Sequence, residues 1–245
     1  MSKFVLAVLV LGFGFAGLAA AKGKFEEDTI PTSKGNLVLT FLGHGSLMMG
    51  FGGKIIQVDP FSQVADYSQL PKADLVLITH DHYDHLDLKA LQAILKPETI
   101  IVASKACAGK VKDAVIMGNG DSRTDLDLAI EAVPAYNIVN KRPDGNPFHP
   151  KGAGNGYIVT FGDKRVYIAG DTENTPEMRA LKNIDVAFLP MNLPYTMTPG
   201  MVADAAKAFR PRILYPYHFG ETDTSKLVKL LQAEKGIEVR VRKMS

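Results

Sequence analysis

The stretch ITHDHYDHLD, residues 78–87, concentrates side chains that bind metal ions. Three of the six histidines in the chain, His80, His82 and His85, stand in it among aspartates. Imidazole nitrogens and carboxylate oxygens are common protein ligands of zinc and related divalent ions. Because the cluster directly follows the apolar run LVLI, it predicts a metal site at the end of a buried strand.

The spacing of these side chains favours two ions over one. His80 and His82 are two positions apart, so an extended backbone would point both imidazoles to the same side. Asp84 and His85 continue into the following turn, and four donors so close in sequence fit poorly around a single tetrahedral ion. We expect the first two on one ion and the second two on another. A catalytic zinc takes three protein ligands and keeps an open position, so further donors must come from downstream.

Three later residues can supply these donors. His149 lies in the Gly- and Pro-rich loop 141–156, Asp171 follows a predicted strand in YIAGDTE, and His218 ends ILYPYH. Each stands at a strand end or in a loop, where α/β proteins place functional side chains. A single histidine at such a position is more often an ordinary surface or core residue. The cluster upstream makes metal ligation the favoured interpretation.

Short apolar runs between Gly, Pro and Asp predict the elements that position these residues. Strands are predicted at 37–42, 46–51, 54–58, 75–79, 99–103, 126–134, 157–161, 165–169, 186–189, 213–217 and 237–241. Helices are predicted at 86–95, 104–113, 176–181, 200–209 and 225–232, after a polar leader at 22–35. In both halves a meander of strands precedes strands alternating with helices. This order favours two sheets packed face to face with helices outside, in a single domain at 22–245.

The first residues are typical of a secretory signal. Lys3 precedes an apolar run at 4–20, and Ala19 and Ala21 form the small-x-small pattern of a cleavage site. We therefore expect a signal peptide at 1–21 and a secreted or periplasmic protein without a stable membrane anchor after cleavage. The alternative, an uncleaved anchor, is disfavoured because the run is short for a membrane span.

The composition indicates which classes of binding partner the protein has. The net charge is +2, and acidic and basic residues are mixed along the chain, so we expect a small-molecule substrate and no nucleic acid. The pattern specifies no oligomeric state. Cys107 is the only cysteine, which excludes an intramolecular disulfide and favours a buried structural thiol.

The sequence THDHYDH, with a loop histidine, GDT and a late histidine after it, resembles the metallo-β-lactamase-fold superfamily of metal-dependent hydrolases. The resemblance runs from about Leu37 to the C-terminus and implies a four-layer αββα sandwich. GHGS around His44 and VDP at 58–60 resemble the branch that contains ascorbate-6-phosphate lactonase. HYDHLD is also similar to the phospholipase D enzymes that cleave N-acyl phosphatidylethanolamine.

The resemblance also implies the ligands of two divalent ions. We expect zinc, with manganese second, because imidazole-rich mixed sites discriminate weakly between metals. It puts His80, His82 and His149 on one ion, Asp84, His85 and His218 on the other, and Asp171 between them. Asp171 stands where antibiotic-degrading members use cysteine, which argues against β-lactam hydrolysis. His82 stands where flavodiiron members usually carry glutamate, which argues against a redox di-iron centre.

These ligands predict a hydrolytic mechanism. Two divalent ions outweigh the negative charges of Asp84, Asp171 and a bridging hydroxide, so the site favours an anionic substrate or transition state. Metal coordination lowers the pKa of water to about 7, and we expect the hydroxide to attack an ester, lactone or phosphodiester without a covalent intermediate. Asp84 would shuttle a proton, and His44 would stabilise the transition state or hold a ligand, unless it only shapes a turn.

Other features remain open at the level of sequence. Asp59 either orients a ligand imidazole or caps a turn, and Tyr195 and Thr198 either line the cavity or hold a loop. GAGNG at 152–156 lacks the strand-then-helix context of a phosphate loop and predicts a tight turn. A metal-binding protein without turnover and a redox di-iron protein are the alternative functions.

Overall fold

The computed structural model describes residues 25–244, and the predicted signal peptide lies outside them. The strands are β1 (Glu26–Thr32), β2 (Gly35–Gly43), β3 (Ser46–Phe51), β4 (Lys54–Val58), β5 (Leu75–Ile78), β6 (Ile100–Ser104), β7 (Val115–Met117), β8 (Ser122–Asp125), β9 (Leu128–Ala135), β10 (Gly154–Phe161), β11 (Lys164–Ile168), β12 (Val186–Pro190), β13 (Ile213–Tyr217) and β14 (Glu238–Val239). The helices are α1 (Leu88–Ile94), α2 (Pro176–Arg179), α3 (Pro199–Phe209) and α4 (Thr224–Leu231), with short 3₁₀ turns at Tyr67–Gln69 and Lys105–Cys107.

Within residues 25–244 the strands form two seven-stranded sheets. One sheet has the order β1 to β7, and the other runs from β14 back to β8. In each sheet the first four strands along the chain pair antiparallel, and the strands that follow pair parallel. This arrangement reproduces the predicted meander followed by alternating strands and helices.

The two sheets pack face to face through a shared apolar core. Phe41 on β2, Phe188 on β12 and Tyr215 on β13 meet there, with ring centroids 5.0–6.2 Å apart. A second apolar layer joins α2, α3 and α4 to the outer face of one sheet, and a third joins α1 to the other. The predicted four-layer αββα sandwich is confirmed. None of the helices in the described chain is long and apolar enough to cross a membrane.

Local sequence explains where the helices begin. Asp87 caps α1 by accepting from the backbone N–H of Lys89 and Ala90. Thr198 caps α3 in the same way, and Pro199 follows it at the first helical position. Of the two roles that the sequence left open for Thr198, lining the cavity or holding a loop, the structure shows the structural one.

Two predictions about elements are wrong, and one predicted strand begins two residues later than expected. The supposed helix at 104–113 is a single 3₁₀ turn, because Gly109 takes a φ of +76° and interrupts it. The predicted strand at 126–134 is the second arm of a hairpin, and Leu126 and Asp127 form its turn with φ of 52° and 63°. The polar leader contains the edge strand β1, in which only Ile30 is buried.

Candidate metal centre

The centre forms where loops from both sheets meet. The segment from His80 to His85 follows β5, Asp171 follows β11 and His218 follows β13. His149 comes from the loop between β9 and β10, and His44 from the turn between β2 and β3. Since parallel strands end at one edge of a sheet, their following loops converge. The structure thus brings all the predicted site residues together, including all six histidines.

One group of donors consists of His80, His82 and His149. Nε2 of His80 lies 3.1 Å from Nδ1 of His82. The His149 ring lies 5.0 Å from the His80 ring and 4.9 Å from the His82 ring, measured between centroids. The donor atoms of the three residues lie within 4.8 Å of one another, close enough to hold one ion.

The second group consists of Asp84, His85 and His218. Oδ2 of Asp84 lies 3.8 Å from Nε2 of His85 and 3.7 Å from Nε2 of His218. The two imidazole rings are nearly parallel, at 13°, with centroids 5.1 Å apart. This group also satisfies the distances expected around one ion.

Asp171 lies between the two groups and turns one oxygen to each. Its Oδ2 lies 3.3 Å from Nε2 of His149 and 3.9 Å from Nε2 of His80. Its Oδ1 lies 3.5 Å from Nε2 of His85 and 3.6 Å from Nε2 of His218. Gly170 makes this position possible, because it takes a φ of +65° and a Cβ there would lie 2.7 Å from the carbonyl oxygen of Asn155.

Asp59 fixes the imidazoles of both groups from behind. Nδ1 of His85 donates to Oδ2 of Asp59 at 2.8 Å. Thr79 donates its hydroxyl to the same carboxylate at 2.6 Å, and its oxygen accepts from Nδ1 of His80 at 3.0 Å. Both histidines therefore present Nε2 to the centre. Of the two roles that the sequence allowed for Asp59, the structure shows the orienting one.

Asn137 and Glu173 hold the loop that carries His149. Oδ1 of Asn137 accepts from the backbone N–H of His149 at 2.8 Å and from its Nδ1 at 2.7 Å. The fully buried carboxylate of Glu173 accepts from Nδ2 of Asn137 at 3.2 Å. It also accepts from three consecutive backbone N–H groups, at 138–140, over 2.7–2.8 Å. Sequence reasoning missed both residues, although Glu173 is only two positions after Asp171.

Several buried polar atoms at the centre have no hydrogen-bond partner in the described chain. They are Nε2 of His85, Nε2 of His149, both ring nitrogens of His218 and Oδ1 of Asp171. Buried polar atoms are nearly always paired, so this concentration of unpaired polar atoms indicates a site for a bound group. Imidazole nitrogens and carboxylate oxygens that face one another fit divalent metal ions. The His/Asp cluster can hold metal.

The charge distribution of the metal-free centre also suits this role. Burial lowers the pKa of His80 well below its ordinary value, and burial lowers that of His82 as well, so both are neutral donors. Burial alone would raise the pKa of Asp171, but the charges of His218 and His85 hold it well below the ordinary range. Burial opposes protonation of His85, yet the Asp171 and Asp59 carboxylates raise its pKa to about 9. A cation that replaces this proton would satisfy the same carboxylates.

His44 lies against the second group. Its Nε2 lies 2.9 Å from Oδ2 of Asp84, and its ring lies 3.8 Å from the His218 ring. His44 and His218 take φ of 54° and 46°, a region that non-glycine residues rarely adopt. Backbone strain of this kind is typical of functional sites. Gly45 leaves room for the imidazoles, since a Cβ there would lie 2.9 Å from Cε1 of His85.

A cleft of about 360 Å³ opens beside the centre. Histidines and aspartates of the centre form its floor. Tyr83, Phe148 and Tyr195 form aromatic walls, and Arg142 and Asn192 add polar groups. Tyr195 thus lines the cavity, one of the two roles that the sequence allowed.

Known proteins with the same pattern place the chain in a family. The family model of the β-lactamase superfamily domain matches residues 38–218, which contain all the predicted ligands. The chain belongs to this superfamily. A UPF0173 metal-dependent hydrolase from Aeropyrum pernix is 31% identical over 205 residues, which are 74% of this chain and 82% of that protein. The chain is therefore a metal-dependent hydrolase of this superfamily. Both the predicted family and the prediction of an enzyme are confirmed.

Solved structures of the superfamily have the same fold. A protein from Parabacteroides distasonis, provisionally named a metal-dependent hydrolase, is 49% identical with a TM-score of 0.86, and the match covers 90% of this chain and 100% of that one. CmlA, a diiron β-hydroxylase from Streptomyces venezuelae, matches 84% of this chain and 53% of its own with a TM-score of 0.69. CmlA is 18% identical, so this likeness shows the fold alone.

Proposed function

We propose that this hydrolase binds two divalent metal ions, zinc first and manganese second, and cleaves an ester, lactone or phosphodiester bond of a small anionic substrate. The position of Asp171 is the observation that carries the proposal. Its Oδ2 faces His149 and its Oδ1 faces His85 and His218. A single ion would leave one of the two groups of buried donors without a partner.

Two ions in this position supply, when bound, an activated water near neutral pH and positive charge for the oxygens of the transition state. Burial alone would raise the pKa of Asp84, but its neighbours His218 and His44 hold it below its ordinary range, so the carboxylate is ionised and can hold a proton at Oδ2 only in transit. His44 lines the cleft with Nε2 2.9 Å from that oxygen, where it can pass a proton to the leaving group. The residues that line the cleft include no serine or cysteine, which favours attack by water over a covalent intermediate.

The charge and size of the cleft support a small anionic substrate. Two divalent ions would add four positive charges, and the carboxylates of Asp84 and Asp171 offset only two of them. The excess positive charge favours a substrate that carries negative charge or develops it in the transition state. A cleft of about 360 Å³ suits a small molecule.

Metal removal and reloading test this function. The purified protein would be stripped with a chelator, reloaded with zinc or manganese, and assayed on aryl esters, lactones and aryl phosphodiesters. We expect hydrolysis of at least one class, lost on chelation and restored by either metal. Two bound ions without turnover of any class would favour a metal-binding protein, and predominantly iron with a redox response would favour a di-iron protein.

We also propose that the protein acts outside the cytoplasm. The charged start, the apolar run and the small residues at 19 and 21 support this location. N-terminal sequencing of the protein from its native cells should give Lys22 as the first residue. An intact N-terminus in the membrane fraction would instead indicate a retained anchor.

A further inference from the structure

One positively charged side chain, Arg142, lines the cleft beside the metal centre. The other residues that line this cleft in the described chain are histidines, aspartates, aromatic residues and one asparagine. The function proposed above does not use Arg142.

A closed turn holds Arg142 in place. Its backbone N–H donates to the carbonyl oxygen of Asn146 at 2.7 Å, and its own carbonyl oxygen accepts from Gly145 at 3.0 Å. Lys141 and Pro147 pair across the base of this turn. The backbone of Arg142 is therefore fixed, while its side chain is exposed at the cleft.

The guanidinium has few partners of its own. Its central carbon lies 5.2 Å from the centroid of the Phe148 ring, and one of its N–H groups donates to the Phe148 carbonyl oxygen at 3.4 Å. No carboxylate in the described chain forms an ion pair with it. The nearby Asp144 has its pKa lowered mainly by N–H groups of Asn146 and only to a smaller extent by Arg142. Most of the donors of Arg142 thus remain available to a ligand.

We propose that Arg142 determines specificity by binding a carboxylate that the substrate carries away from its scissile bond. A guanidinium offers two parallel N–H donors that match the two oxygens of a carboxylate, and Phe148 keeps its plane in position. The absence of a second lysine or arginine in the cleft lining fits a singly charged group better than a phosphate dianion. The inference rests on the proposed hydrolysis of a small anionic substrate, and it narrows that substrate to carboxylate-bearing esters or lactones.

Two esters with the same scissile bond test this role. The phenyl monoester of glutaric acid carries a free carboxylate, and its methyl ester does not. The ratio of kcat/KM for the acid to kcat/KM for the methyl ester would be measured for the wild type and for Arg142→Met, Arg142→Lys and Lys141→Met. We expect Arg142→Met to lower the ratio about tenfold through KM, as for loss of a charge-assisted pair. Arg142→Lys should lower it less, and Lys141→Met, on the same turn but outside the cleft lining, should leave it unchanged.

A binding measurement separates this inference from the proposed function. Calorimetry of the metal-loaded protein compares the binding of glutarate and butyrate. Each acid can place one carboxylate at the metal centre, but only glutarate has a second carboxylate for Arg142. We expect the wild type to bind glutarate about tenfold more tightly than butyrate and Arg142→Met to lose the difference. Equal binding of the two acids by the wild type, or a ratio that Arg142→Met leaves intact, overturns the role of Arg142. Preferential glutarate binding without hydrolysis of either ester would keep the anion site and reject the proposed activity.

Discussion

Asp59 contacts a histidine of each donor group, His85 directly and His80 through the hydroxyl of Thr79. Its carboxylate accepts a hydrogen bond from Nδ1 of His85 and another from the hydroxyl of Thr79. The oxygen of that hydroxyl in turn accepts from Nδ1 of His80. A carboxylate behind a ligand imidazole fixes the tautomer and makes the ring a stronger donor. Because Asp59 is fully buried and takes a φ of 43°, few residues could replace it.

We expect Asp59→Asn to weaken metal binding about 10- to 100-fold, the usual effect of losing such a partner. Asparagine keeps the size and tolerates the backbone angle, so the loss reflects charge. A zinc competition titration measures the affinity. The control is Asp127→Asn, since Asp127 also has a positive φ, of 63°, but is exposed in a hairpin turn. Equal affinities of the two variants would contradict the orienting role of Asp59.

Two of the histidines that line the cleft, His44 and His82, should behave differently. We expect His82→Ala to lose most of its metal and activity, because it removes a ligand from the first group. His44→Asn retains the positive φ that His44 requires and should keep its metal while turnover falls about 10²- to 10⁴-fold. Metal analysis and kinetics on the same preparations separate the two effects. Loss of metal from His44→Asn would make His44 a ligand.

Residue types predicted which side chains meet at the centre, but not all of the residues that hold them in place. Histidine and aspartate at strand ends are uncommon enough for their chemistry to be recognised in the sequence. Asn137 and Glu173 belong to no recognisable motif, and their roles depend on contacts between residues 33 to 36 positions apart. Only the folded loop shows them.

Elements with a strong local pattern were predicted well. Buried strands such as β5 and β12 are continuous apolar runs, and α3 begins with a capping threonine and a proline. The edge strand β1 was missed because most of its residues are polar and exposed, so its sequence lacks the apolar pattern of a strand. Its pairing with β2 is a tertiary interaction that the local sequence does not specify.

The loop before His149 depends on a buried carboxylate. We expect Glu173→Gln to lower the free energy of unfolding by about 1–3 kcal/mol, because an amide offers fewer acceptors to the backbone N–H groups of 138–140. Zinc affinity should fall as well, since Asn137 would no longer be held against His149. Urea unfolding and zinc titration measure the two effects. Glu177→Gln, a partly exposed carboxylate on α2, is the matched control, and an equal loss in both variants would contradict the account.

At the scale of the whole molecule, each sheet supplies part of the centre. The loop after β5 carries four of the predicted ligands, and the other sheet brings the loop before β10 and the ends of β11 and β13. Donors that are distant in sequence meet only after the sheets pack, so bound metal should stabilise the folded state. The sequence predicted this arrangement through the order of its motifs, but not the register of the sheets.

Asp28 ties the first strand to the C-terminal end of the chain. Its carboxylate accepts from Arg242 at 2.7 and 2.8 Å and from the hydroxyl of Tyr215. Burial alone would raise the pKa of Asp28, but these hydrogen bonds and the arginine charges lower it below its ordinary 3.8. The contribution of Asp28 to stability is therefore present above pH 3.8 and is lost as the pH falls through the lower pKa of the folded state.

We expect Asp28→Asn to lower the free energy of unfolding by about 1–3 kcal/mol at pH 7. The difference from the wild type should shrink as the pH falls below 3.8. Urea unfolding at several pH values measures it. The control is Asp127→Asn, exposed in the turn between β8 and β9, and a difference that grows at low pH would contradict the assigned shift.

Anomalous diffraction from crystals of the zinc-loaded protein tests the central claim most directly. We expect two peaks, roughly 3.5–4 Å apart as in other two-metal sites. One should contact His80, His82 and His149, the other Asp84, His85 and His218, and Asp171 should contact both. A single peak, or two peaks of which one has no contact with Asp171, would contradict this claim.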